Sequence, residues 1–97
     1  IFTEKERAEM EHTKRRGASG FAGKEAVVKA FGTGFAGIDA CEVEILRRES
    51  GAPYVTLYGA ARKKAEEMGI TDWKISITNT KEVATAFVIA VADDVKE

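Results

Sequence analysis

Lys24, Glu25 and Lys29 stand close together in FAGKEAVVKAFGTG, Phe21 to Gly34, a segment of helical spacing that ends on Gly32, Thr33 and Gly34. Two ammonium groups beside one carboxylate suit a place where phosphate oxygens and a hard divalent cation are held together, because such a cation takes carboxylate and phosphate oxygens alike. A plainer alternative is a salt-bridged surface helix, since Glu25 precedes Lys29 by four residues, the spacing at which the two support each other. That alternative leaves Lys24 over. At about 100° per residue it falls inside the apolar arc of Phe21, Val27, Val28 and Phe31, so its ammonium must snorkel out or line a cleft. The ending is also suggestive: Gly32 can stop the helix, Gly34 can take positive φ, and Thr33 offers a hydroxyl and an N–H to an anion.

The elements that must position these groups fit in one domain. The chain has 97 residues, 44% hydrophobic and 32% charged, with a single proline, which describes an ordinary globular domain too small for a roomy private cleft. A cleft shared between subunits would be deeper. Cys41 is the only cysteine and His12 the only histidine, which excludes an intrachain disulfide and a Cys/His zinc cluster, removes the Cys/His and Ser/His dyads as strong readings, and points to a reducing, cytoplasmic setting. His12 reads as a solvated residue of a charged helix. A net charge of −1 gives no global attraction for nucleic acid, and no apolar run is long enough for a membrane span. The local cluster Lys14, Arg15 and Arg16 suits either an acidic partner or the solvated end of a helix. The opening IFTEKER lacks the pattern of a signal peptide and reads as the continuation of an earlier segment.

Thr3 and Glu6 have the spacing of a capping box, which predicts a polar surface helix over EKERAEMEHTKRR. Gly17, Ser19 and Gly20 predict a flexible loop before the Phe21 helix. Cys41 to Leu46 alternates and, with Tyr54 to Tyr58, predicts a hairpin exposed on one face. A short helix follows between Gly59 and Gly69, with Ala61, Ala65 and Met68 on its apolar stripe. Trp73 to Thr78 and Val83 to Ala92 predict a second, more buried hairpin, whose last strand has one large face and one mostly of alanine. Small residues there allow close approach of a helix or another subunit, although a plain core-facing strand is the commoner arrangement. The order gives an α+β fold with an antiparallel sheet and packed helices.

The pattern F-A-x-K-E-A-x-x-K-A-x-G-T-G resembles the signature of the 4'-phosphopantetheinyl transferases of the holo-acyl-carrier-protein synthase type. FTEKER upstream, and CEVEIL, SGAPYVTLYG and ISITNT…ATAFVIA downstream, follow in that family's order, so the resemblance runs from Phe2 to about Ala92. It implies the 4'-phosphopantetheinyl transferase fold over residues 1–97 and an enzyme of lipid synthesis that moves phosphopantetheine from coenzyme A to a serine of apo-acyl carrier protein, releases adenosine 3',5'-bisphosphate and needs Mg²⁺. It further implies a homotrimer with coenzyme A sites between subunits.

Carried onto this chain, the resemblance makes Glu25 a metal ligand and catalytic residue and sets Lys29 nearest the scissile phosphate, with Lys24 beside it. Gly32, Thr33 and Gly34 would border the phosphates, while Pro53, Asn79 and Thr80 would line the adenosine end. Lys14, Arg15 and Arg16 would meet an acidic helix of the carrier protein. The acceptor of the serine proton stays open. Three departures stand out: the family's second metal ligand, an aspartate on a first strand, has no counterpart in these residues; Gly20 stands where an arginine is usual; and Asn79 replaces a frequent histidine. They motivate two rivals, a domain of a larger synthase and a catalytically impaired module that binds coenzyme A or the carrier protein. A nucleic-acid-binding module rests on Lys14 to Arg16 alone.

Overall fold

The computed structural model describes residues 1–11, 15–32, 34–80 and 82–92, with the backbone alone at Arg15 and Arg16. Its elements are α1 (Glu4–Met10), α2 (Arg15–Phe31), a 3-10 turn (Ala40–Glu42), β1 (Val43–Arg47), β2 (Pro53–Leu57), α3 (Gly59–Glu67), β3 (Ile70–Asn79) and β4 (Ala84–Ala92). The strands form two antiparallel hairpins, β1 with β2 and β3 with β4. Val43 faces Leu57 in the first, and Asn79 faces Ala84 at the tip of the second.

Helix α1 starts where the capping box lies: Glu6 N–H donates to Thr3 Oγ1 at 3.1 Å and Thr3 N–H donates back to Glu6 Oε1 at 2.8 Å. It is not the purely surface helix its composition predicts, because Glu6 is buried. Helix α2 begins well before Phe21 and runs through Gly17 to Gly20, the predicted loop. Packing explains the override of glycine's weak helix propensity: Gly20 turns its bare Cα toward the Phe2 ring, and Gly23 faces Ile45 so closely that an added Cβ would lie 3.2 Å from Ile45 Cγ1.

The core gathers Val27, Val28 and Phe31 of α2 with Ile38, Val43, Ile45 and the α3 alanines Ala61 and Ala65. Each large apolar side chain here contributes about 1.5–3 kcal/mol by leaving water. Trp73 of β3 closes one end, its ring meeting Phe31 edge-on at 5.5 Å between centroids.

Three further expectations change. The first hairpin is not exposed on one face, since Glu44 is as buried as Val43 and Ile45, covered by Thr3 and Tyr58. Met68 lies outside the α3 stripe, 43% exposed, at the helix C-terminus. The alanine face of β4, with Ala84, Ala86 and Ala90, packs on α2, and the large residues point away: Phe87 is 75% and Ile89 62% exposed. Small residues on the inner face allow that close approach, so the second hairpin is the less buried of the two.

Candidate active site

The outer face of α2 carries Glu25 and Lys29, both exposed, with Ala22, Ala26 and Ala30 half-buried along the same side. No ion pair joins Glu25 to Lys29 among the described residues, so the salt-bridged surface helix is not what forms. Lys29 lines a groove of about 370 Å³ with Ala26 and Ala30, closed on its other side by Thr85, Ala86, Phe87 and Val88 of β4. The alanines leave the room, and the lysine sets the sign of the field.

At the end of the helix, Gly32 takes φ 83° and donates its N–H to Lys29 O at 2.9 Å. That bond closes the helix and commits the Gly32 N–H, so what Gly32 offers a ligand is open space beside its Cα. Gly34 also lies in the left-handed region, at φ 62°, and Thr33 between them falls outside the described residues. Phe35 beyond the turn stacks on Phe21 at 6.5 Å, pinning the turn to the start of the predicted motif.

Lys24 does not join the phosphate set. It is wholly buried, and its three donors have three acceptors: Glu6 Oε1 at 2.9 Å, Ala40 O at 2.7 Å and Val43 O at 2.5 Å. The Phe2 ring lies 5.5 Å from its Nζ and shuts it from water. A lysine inside an apolar arc therefore neither snorkels nor lines a cleft here; it is neutralised from within. Its partner Glu6 is the residue sequence reasoning missed, although a buried cation demands a buried anion and Glu6 already had a capping role.

Glu44 was missed too. Its carboxylate accepts from Thr3 Oγ1 at 2.6 Å and from the Tyr58 hydroxyl at 2.9 Å. The hydrogen bond to Glu44 holds the Tyr58 phenol above its ordinary pKa, with desolvation and the nearby charges adding to it.

The remaining predicted residues fall in three places. Asn79 and Thr80 sit at the tip of the β3–β4 hairpin, where Thr80 N–H donates to Val83 O at 2.8 Å and Thr80 Oγ1 accepts from Val83 N–H at 3.0 Å, a pre-formed turn. Pro53 starts β2 opposite Arg47, in the other hairpin. Arg15 and Arg16 open α2, and Lys14 lies outside the described residues. No group of three His, Cys, Asp or Glu suited to a metal occurs among the described residues. Glu25 belongs to no such group among the described residues, and a single exposed carboxylate fits a Mg²⁺ that takes most of its oxygens from a phosphorylated substrate and water.

Known proteins share this sequence and this fold. The family model described as the 4'-phosphopantetheinyl transferase superfamily matches residues 1–91. A holo-[acyl-carrier-protein] synthase of Lachnoclostridium phytofermentans is 51% identical over 89 residues, covering 92% of this chain and 73% of the relative. A second, from Natranaerobius thermophilus, is 41% identical over 96 residues, covering 96% and 77%. Among solved structures, the acyl carrier protein synthase of Plasmodium yoelii with ADP bound superposes with a TM-score of 0.82 at 33% identity, over 97% of this chain and 77% of that one. With its signature on α2, its glycine turn and its two hairpins, the chain belongs to the 4'-phosphopantetheinyl transferase superfamily.

Proposed function

We propose that this protein is a holo-acyl-carrier-protein synthase, which moves the 4'-phosphopantetheine arm of coenzyme A to a serine of an apo-acyl carrier protein and releases adenosine 3',5'-bisphosphate. The observation that carries this reading is the exposed pair Glu25 and Lys29 on one face of α2, beside the glycine turn and a groove against β4, in a chain of that superfamily. The serine oxygen gives up its proton, released overall to water, and forms a bond to the phosphorus that bears pantetheine, while the bond from that phosphorus to the bridging oxygen of the diphosphate breaks. Negative charge grows on the departing bisphosphate. Lys29, whose ammonium pairs with no acid among the described residues, meets that charge and stabilises it more in the transition state than in the ground state. Mg²⁺ held by Glu25 together with diphosphate oxygens would supply further neutralisation of that charge.

The adenosine end would lie against Asn79 and Thr80 of one copy and Pro53 of another, because these residues occupy different hairpins. This supports a site shared between subunits of a homotrimer, as does the outward apolar row of Phe87, Ile89 and Val91 on β4. The ADP held by the Plasmodium relative is the kind of adenine diphosphate such a site would take. The carrier protein would meet the start of α2, at Arg15 and Arg16, with Lys14 ahead of them. No helix among the described residues is long and apolar enough to cross a membrane, and we assign the reaction to the cytoplasm.

A second reading, a module that binds coenzyme A without transferring from it, is favoured by Gly20, which is packed under Phe2 where relatives are expected to carry an arginine. Mass spectrometry of an apo-acyl carrier protein incubated with this protein, coenzyme A and Mg²⁺ separates the two. Transfer adds about 340 Da and is lost with EDTA. Glu25→Gln should abolish the gain while leaving the circular dichroism spectrum and Tm unchanged, since the side chain is exposed. Wild-type turnover in that variant would sink the assignment of Glu25, and coenzyme A binding without any gain in mass would select the second reading.

A further inference from the structure

Within the reading of Glu25 and Lys29 as the diphosphate residues, the structure assigns Glu6 and Lys24 a positioning role: their buried ion pair fixes the rotation of α2 about its own axis and so aims Glu25 and Lys29 at the groove. Lys24 precedes Glu25 directly and lies about 100° round the helix from it, buried where Glu25 is exposed. The ammonium is tied to three elements at once, α1 through Glu6, the 3-10 turn through Ala40 O and β1 through Val43 O. Glu6 extends the brace: Oε1 also accepts from Thr3 N–H at 2.8 Å, and Oε2 accepts from Ile45 N–H at 2.7 Å. Every buried side-chain polar atom among the described residues has a partner, so the brace is complete.

Apolar contacts alone would not fix this rotation. Val27, Val28 and Phe31 hold the second half of α2 in the core, but around Lys24 the faces it presents are small and smooth, with Gly20 and Gly23 toward Phe2 and Ile45 and the alanines toward β4. Hydrophobic attraction is non-directional, whereas an ion pair with five directional contacts has one register. The leverage is large. With Cα on a radius of about 2.3 Å and a glutamate reaching about 4 Å further, a rotation of about 20° carries the Glu25 carboxylate about 2 Å. A displacement of about 1 Å at a reacting centre can lower a rate about 100-fold. A buried charged pair is a weak source of stability but a good source of uniqueness, and here what it makes unique is the direction of the catalytic face.

The test measures Tm, kcat and the KM for coenzyme A in Glu6→Gln/Lys24→Met, which removes both charges together, and in Glu6→Asp, which keeps both but shortens the brace by one methylene. The expected result is a folded protein whose kcat falls about tenfold or more while KM stays within about threefold. A folded variant with kcat within about twofold of wild type would overturn the positioning role. A KM raised about tenfold with kcat unchanged would overturn it differently, by making Lys24 a phosphate contact after all. Should the double variant fail to fold, Glu6→Asp decides by the same two numbers. Glu25→Gln run alongside tests the parent reading separately: if it keeps full turnover, the site is wrong whatever the pair does.

Discussion

Replacing Lys24 with methionine keeps the stem and deletes the charge, and its effect can be worked from the contacts. The Glu6 carboxylate, 4% exposed, loses its only cation among the described residues but keeps N–H donors from Thr3 and Ile45. Removing one partner of a buried pair costs about 3–5 kcal/mol, because an uncompensated charge stays behind. The carbonyls of Ala40 and Val43 lose a donor as well, and each buried acceptor left dry adds about 1–3 kcal/mol. Relaxation and water entry bring the expected total to about 4 kcal/mol, against a stability of about 5–15 kcal/mol for a domain of this kind. The second variant, Glu6→Gln/Lys24→Met, removes the stranded charge, so its loss should fall short of the summed single losses by about 2 kcal/mol. Urea unfolding followed by the fluorescence of Trp73, the only tryptophan, reads all four corners of the cycle at one fixed protein concentration. A Lys24→Met loss below about 1 kcal/mol, or strict additivity in the cycle, would refute the claim that this lysine is neutralised from within.

The outward row on β4 makes a claim about assembly: changing Phe87 and Ile89 to lysine should leave the circular dichroism spectrum intact and convert an oligomer to single chains by light scattering. Burying those two side chains is worth about 3–6 kcal/mol per interface, so losing them should weaken association at least about 100-fold; an oligomer of unchanged mass would reject that face as the interface. The bond from Tyr58 to Glu44 makes a claim about pH. A phenol whose folded pKa is raised contributes stability that is full below its unfolded value of about 10 and is lost as pH rises through the folded one. The stability gap between wild type and Tyr58→Phe should therefore hold steady at neutral pH and close only above about pH 10. Urea midpoints across that range check it, and a gap that persists at the alkaline end would mean the hydroxyl does not donate to Glu44.

What could be read without coordinates followed from how local each inference was. The exposure of Glu25 and Lys29 needs only the helical period, and the stop at Gly32 needs only the absence of a Cβ, so both stand where the sequence puts them. Lys24 shows where that logic ends. Periodicity places it in the apolar arc, but what meets it there comes from Glu6 and from the backbone of residues 40 and 43, and no local pattern names partners so far along the chain. Gly17 to Gly20 reversed a propensity for the same reason, since bare Cα atoms that weaken an isolated helix let a packed one approach Met10 and Phe2.

Strand β4 marks a different limit. Its alternation says that two faces differ, and hydrophobicity alone would turn Phe87 and Ile89 inward. The helix opposite it presents Ala26 and Ala30 at close range, so only the alanine face of the strand fits, and shape overrules hydrophobicity. The large residues are then left on the outside, beside the groove that Lys29 lines. A monomer would expose that apolar row to water for nothing, whereas a second copy laid against it would cover Phe87 and could bring its own Pro53 toward the Asn79–Thr80 turn. The same packing choice that keeps the largest β4 residues out of the core thus sets Phe87 on the wall of the groove, where the second copy we propose would extend it.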